Sequence, residues 1–199
     1  CLNWWNVWPS YNTFDEFETA ADNGVKDDPR RGYSIYQDGD LYNDGTLTME
    51  IAGSDDYPVR YGWKKYQNYY KAASEGSVAP NTSGINMKVI RYADVLLMKA
   101  ECEANRPGGS LATAVDYMNE VRQRADVDMP LYGEVGSDLD DLYPVNDLPG
   151  FMAALEHERK VELCGEQVRW WDLKRWGRAA DFLINESKPT LSTADQNAL

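Results

Sequence analysis

The stretch Glu158–Gly177, ERKVELCGEQVRWWDLKRWG, interleaves three tryptophans with cations and carboxylates at near-helical spacing. Side by side in solvent, Trp and Arg are poorly accommodated. The density therefore predicts a packed junction in which Arg stems lie on indole faces and carboxylates neutralise the guanidinium groups. Gly165 splits the stretch: a helix from about Gly150 to Cys164, with Phe151, Leu155, Arg159 and Glu162 along one side, stops there, and another begins near Gln167 or Val168.

Upstream the helical period continues. Val89/Ile90, Ala93, Leu96/Leu97 and Ala100 predict an amphipathic helix that ends at Asn105-Arg106-Pro107-Gly108-Gly109. Ser110 then caps a helix with the inner stripe Leu111, Ala114/Val115, Met118 and Val121/Arg122, and the short connection makes the two an antiparallel hairpin. Residues 126–149 read as a long acidic loop. Two successive helical hairpins have tetratricopeptide-like size and packing, although the Trp, Gly, Tyr and Pro pattern of a 34-residue repeat is absent.

Residues 1–80 are different: aromatic, irregular and broken by turn formers, with a Ser, Gly, Pro and Asn-rich loop over residues 73–86 separating them from the helical region 81–199. A helix over Asn12–Ala21 capped by Thr13 is expected, as is a hairpin in which Asn43-Asp44-Gly45 joins Ser34–Tyr42 to Thr46–Ile51, with Leu47, Met49 and Ile51 alternating. The fold class is thus mainly α, helical hairpins carrying an aromatic-rich region with short β-hairpins.

With 33 acidic against 20 basic residues, a net charge of -13 argues against nucleic acid, whose phosphates need clustered cations. The chain is 43% apolar and 12% aromatic, enough for a core. No window approaches the ~18 apolar residues of a membrane span. Cys1, Cys102 and Cys164 match no metal or redox spacing and read as buried free thiols.

His157 is the single histidine, so a two-imidazole zinc site cannot be assembled around it, and a Ser-His-Asp triad, which would have to use it, lacks the Gly-x-Ser-x-Gly elbow in this sequence. Paired carboxylates remain. Glu158 and Glu162 share a helix face, but each lies within helical reach of a cation, which lowers a carboxylate pKa where a general acid needs it raised. Catalytic residues and metal ligands are therefore not assigned. Calcium is conceivable at Asp38, Asp40 and Asp44 or at Asp138, Asp140 and Asp141, without an EF-hand, since Tyr42 and Ile51 stand where oxygen ligands belong. The tyrosines and tryptophans suit stacking on sugar rings or holding peptide side chains.

Four blocks, Arg91–Glu101, Met118–Ala125, Glu158–Leu163 and Arg169–Gly177, closely resemble in that order the C-terminal signature of the SusD/RagB family, with Asp28-Pro29-Arg30 and Lys65-Tyr66 similar to its weaker upstream motifs. The resemblance implies a partial SusD-like fold. It also implies a surface-exposed, non-enzymatic, lipid-anchored nutrient-binding protein of the bacterial outer membrane. Such a protein sits on a SusC-like TonB-dependent transporter and passes it oligosaccharides or, in the RagB-like branch, peptides. Family members have further upstream helices and a Pro-Ile-Pro tail, so the chain resembles a C-terminal portion, with Cys1 an ordinary cysteine and an apolar face left for association.

Trp4, Trp63 and Tyr66 are the aromatic ligand candidates. Arg91, Arg159, Glu162, Arg169, Trp171 and Asp172 are assigned to structure, with Arg159–Glu162 and Arg169–Asp172 expected as partly buried i, i+3 pairs. A carbohydrate-active enzyme using paired carboxylates and a purely helical scaffold for protein partners are the alternatives.

Overall fold

A computed structural model describes residues 9–42, 47–49, 61–66, 86 and 88–183. Its frame is three helices, α4 (Tyr92–Asn105), α5 (Leu111–Arg122) and α7 (Leu148–Glu162). In α4 the stripe Ala93, Leu96, Leu97 and Ala100 is buried. Val89 and Ile90, expected to open that stripe, are 87% and 65% exposed, because the helix starts only after Arg91, whose extended backbone caps it. Pro107 ends it: the residue before proline is forced out of the helical region, and Arg106 sits at φ -75°, ψ 149°.

Gly109 makes the tight return possible, since a Cβ there would lie 1.9 Å from the Glu103 carbonyl oxygen. Ser110 then accepts from the Thr113 amide and starts α5 as expected. The pair is antiparallel: Tyr92 at the start of α4 donates to Glu120 near the end of α5 at 3.0 Å. Asp147 caps α7 through the Gly150 amide, with Pro149 in the first turn, where its missing N–H costs nothing.

Helix α7 carries two cores. Phe151, Ala154 and Leu155 meet the α4–α5 hairpin together with Leu97, Met118, Tyr132 and Leu139, whereas Val161, with Cys164 just beyond the helix, meets Phe17 and Ile35 of the first half. Each of the larger aliphatic and Phe side chains among them contributes about 1.5–3 kcal/mol on burial. The helix therefore couples the hairpin to the irregular region.

The first half departs from expectation. Two short helices replace Asn12–Ala21: α1 (Tyr11–Phe14), capped by Ser10 and not Thr13, and α2 (Ala20–Asn23), capped by Thr19 with Asp22 in a reciprocal box. The intervening Glu16 and Glu18 both reach His157, from either side of a turn and bend over residues 15–17 that interrupts the expected helix. Asp28 caps α3 (Pro29–Ser34), so Ser34 closes a helix and does not open a strand.

Strand β1 (Ile35–Gln37) then pairs antiparallel with β4 (Tyr61–Trp63), while β2 (Leu41–Tyr42) pairs antiparallel with β3 (Leu47–Thr48), the two strands that the predicted hairpin joins, with Tyr42 opposite Leu47. The Asp38-Gly39-Asp40 turn divides the predicted single strand: Gly39 has φ +86°, and the Gln37 amide donates to Asp40. The 43–45 turn and Ile51 lie outside the described residues.

The predicted acidic loop holds a short helix, α6 (Asp138–Leu142), capped by Ser137 and anchored by buried Leu139. Left-handed backbone at Gly165 and Gln167 delays the next helix to α8 (Arg169–Arg175), and α9 (Ala179–Asp181) follows. Among the described residues no helix is long and apolar enough to cross a membrane.

Candidate functional site

Two consecutive turns of α7 and the turn after it present Glu158, Glu162 and Glu166 in a row, and cations from four other segments close on them. Arg30 forks onto Asp28 and gives Nη1 to Glu158 and to Glu162, the latter at 3.1 Å. Arg122, fully buried, donates Nη1 to Glu18 at 2.7 Å and to Glu158 at 2.9 Å, and Nη2 to Glu18 at 2.9 Å. Glu162 also receives Arg91 at 2.6 Å and Arg124, and Glu166 receives Arg91 at 2.7 Å and Lys65 at 2.8 Å. His157 places Nδ1 3.0 Å from Glu16 and Nε2 3.1 Å from Glu18, and Glu16 takes Lys160 as well.

Burial alone would raise these carboxyl pKa values; the cations reverse it. Burial is outweighed at Glu158 by Arg30 and Arg122, which hold the carboxyl below its ordinary range, and at Glu162 by Arg30, Arg124 and Arg91, which bring it to about 2. Both stay ionised near neutral pH. Neither is the poised proton donor that glycoside hydrolysis needs, and the row behaves as a clamp joining α3, α4, α5 and α7.

A second cluster is built on Arg159, which donates Nε to Asp172 at 2.8 Å and Nη1 to Asp94 at 3.0 Å. Asp172 also accepts from Arg175, and Glu101 accepts from Trp176 Nε1 at 2.9 Å. The expected Arg159–Glu162 and Arg169–Asp172 pairs do not form. Arg159 and Glu162 pair instead with groups on other elements, and Arg169 reaches Glu156 at 2.9 Å. Trp171, assigned to the packed junction, is 64% exposed, with Lys174 over its ring at 5.2 Å, whereas Trp176 joins the junction, under Arg175 at 4.5 Å.

Among the described residues, concavities lie on either side of this scaffold. A groove of about 410 Å³ runs over the clamp, where Tyr33 and Tyr66 lie among Asn86, Lys88, Arg91 and Arg124. Tyr33 is 56% exposed, and Tyr66 adopts φ 64°, an unusual conformation for a non-glycine residue. The other cavity, about 340 Å³, is lined by Trp63, Leu163, Val168, Arg169 and Phe182, with Trp63 close against Gly165. The candidates Trp63 and Tyr66 thus face different concavities, and Trp4 lies outside the described residues.

Of the cysteines, Cys164 is buried, and burial pushes its thiol up to about 12, whereas Cys102 is exposed, contrary to expectation. Among the described residues no group of three or more His, Cys, Asp or Glu side chains is placed to hold a metal ion. Asp40 serves its own turn.

Residues 3–198 match the sequence profile of the SusD family. The chain belongs to the SusD family. Among its relatives are two SusD-like proteins of Formosa agariphila, P38, 30% identical over 54% of this chain and 20% of the relative, and P25, 42% identical over 49% and 16%. A crystal structure of a SusD superfamily protein from Bacteroides vulgatus superposes with TM-score 0.68 at 28% identity over 99% of this chain and 38% of that one. Another, of a SusD-like carbohydrate binding protein from Bacteroides fragilis, superposes with TM-score 0.61 at 26% identity over 88% and 36%. The chain therefore spans well under half the length of these relatives.

In this SusD-family chain the four signature blocks supply Arg91, Asp94, Glu101, Arg122, Arg124, Glu158, Arg159, Glu162, Arg169, Asp172, Arg175 and Trp176 to the two ion clusters and their rim, while Glu166 and His157 lie just outside the blocks. The weaker upstream motif supplies Asp28 and Arg30. Glu16 and Glu18 carried no such signal.

Proposed function

We propose that the protein binds oligosaccharide without chemically altering it, at the outer-membrane surface, and hands it to a SusC-like TonB-dependent transporter. Membership of the SusD family carries this reading, and the B. fragilis neighbour is described as carbohydrate binding. The groove over the clamp supports it locally. Tyr33 and Tyr66 offer flat faces for sugar rings, and Asn86, Lys88 and Arg124 offer hydrogen-bonding groups for hydroxyls. The ion clamp beneath supplies rigidity, not reactivity.

Calorimetry with panels of oligosaccharides and peptides tests the assignment. Tyr66→Ala and Tyr33→Ala should each weaken oligosaccharide binding by about tenfold, the scale of a lost aromatic contact of ~1.5 kcal/mol. Unchanged affinity in both variants removes the groove as the site. Binding of peptides alone replaces sugar by peptide as the cargo.

A further inference from the structure

The tyrosine groove is more positive than the chain that carries it. The protein has 33 acidic against 20 basic residues, yet the described lining of the groove holds five cations and three carboxylates. Most of these cancel within the clamp. Glu162 and Glu166 are nearly inaccessible, and Arg30, Arg91, Lys65 and one arm of Arg124 neutralise them.

Two cations and one carboxylate remain open to a ligand. Lys88 is exposed, and among the described residues no carboxylate pairs with it. Arg124, whose side chain is 36% exposed, gives Nη1 to Glu162 and Nε to Asp126 at 3.4 Å; its Nη2 is not buried and has no acceptor among the described residues. The opposing charge is Asp126, at 62% exposure.

The two free donors lie beside the stacking faces. The Tyr66 hydroxyl sits by the Lys88 backbone amide, so the lysine's flexible stem starts next to the ring that a sugar would cover. A neutral hydroxyl gains little from a cation that Asn86 could not give it, whereas an anionic substituent gains a charge-assisted bond about twice as strong. The net charge of -13 does not cancel this, because salt screens distant charges beyond ~10 Å and leaves the local pair to decide.

We propose that the groove selects oligosaccharides bearing a negative charge, a carboxylate or a sulfate, and that Lys88 determines this specificity with Arg124 beside it. The proposal rests on the oligosaccharide reading of the groove and adds to it the charge of the cargo.

The test is calorimetry on the purified protein with neutral glucose, galactose, xylose and mannose oligosaccharides and with uronate and sulfated oligosaccharides of equal length, at low and high salt. At low salt an acidic sugar should bind at least about fivefold more tightly than its neutral counterpart, the scale of an exposed ion pair, and high salt should shrink the preference. Lys88→Gln, melting with the wild type, should lower the ratio of acidic to neutral affinity by roughly two- to fivefold, and Asp126→Asn should raise it.

Tighter binding of either acid supports the proposal and names the acidic group. Equal affinity for acidic and neutral sugars overturns it and leaves the oligosaccharide reading intact. A preference for acid that Lys88→Gln does not change also overturns it, because the charge is then read elsewhere. Binding of no sugar in any arm overturns this proposal and the oligosaccharide reading together.

Discussion

Replacing Arg122 by Met should be among the most damaging single changes in the chain. The side chain is 0% exposed and joins three elements: it donates to Glu18 before α2, to Glu158 on α7, and through Nε to the Pro130 carbonyl. Met fills much of the volume but leaves two buried carboxylates each short of a cation. Glu158 keeps Arg30 and Glu18 keeps His157, so the loss is partial. Breaking a buried pair costs ~3–5 kcal/mol, which for a chain of this size lowers Tm by roughly 6–20 °C. Arg122→Lys, which keeps the charge and loses the planar fork, should fall between. Thermal and urea unfolding of both variants, together with a double-mutant cycle against Glu158→Gln, give the measurement; contacting charges should show a coupling of ~0.5–3 kcal/mol. An Arg122→Met protein within about 1 kcal/mol of wild type, a surface-like effect, would refute the reasoning.

Stability should also follow pH in two limbs. Burial opposes the charged forms of Glu16 and Glu162, but their cationic partners hold both at about 2, so the stabilisation is complete above their ordinary value of 4.5 and is lost as pH falls toward 2. At His157 burial disfavours the imidazolium, and the bonds to Glu16 and Glu18 outweigh it, raising the pKa above 6.5. That contribution is complete below 6.5 and fades as pH rises through the folded-state value. Urea midpoints across pH should therefore plateau between these limits, and His157→Gln should flatten the alkaline limb; an unchanged limb counts against the assignment. Trp171→Ala should cost under about 0.5 kcal/mol, whereas Trp176→Ala, which removes a part-buried bond to the Glu101 carboxylate, should cost more than about 1 kcal/mol, and the reverse order in thermal melts would contradict the placement of the two indoles. Gly165→Ala forces a side chain onto φ +76° with its Cβ 3.3 Å from the Trp63 ring and should lower stability by about 1–3 kcal/mol; a neutral melt would show that the turn is not as tight as described.

The elements that local physics determines were legible in the sequence. Periodicity located α4, α5 and α7, Ser110 was read as a cap, and the order of four charged blocks identified the family. What was not legible depends on partners far along the chain. Within a helix the eye pairs Arg159 with Glu162, three residues on, yet Arg159 bonds Asp94 and Asp172 while Glu162 collects Arg30, Arg91 and Arg124. Nothing local separates the two schemes, because both satisfy charge. Glu16 and Glu18 sat in a segment with acceptable helix propensity, and the turn and bend at residues 15–17 won because both carboxylates then reach His157. Trp171 misled for a related reason: adjacent tryptophans on a helix point about 100° apart, so one run of indoles cannot all face the same junction. Trp63 and Tyr66 line different concavities, a division that only tertiary structure decides.

The most direct test of binding without chemistry is prolonged incubation of the protein with an oligosaccharide that calorimetry shows it binds, followed by chromatography of the recovered sugar. The account predicts saturable binding and quantitative return of the intact oligosaccharide, because Glu158 and Glu162 are held ionised by arginines and cannot donate a proton to a leaving group. Shorter products that appear with the wild type and vanish with Glu158→Gln or Glu162→Gln would contradict it.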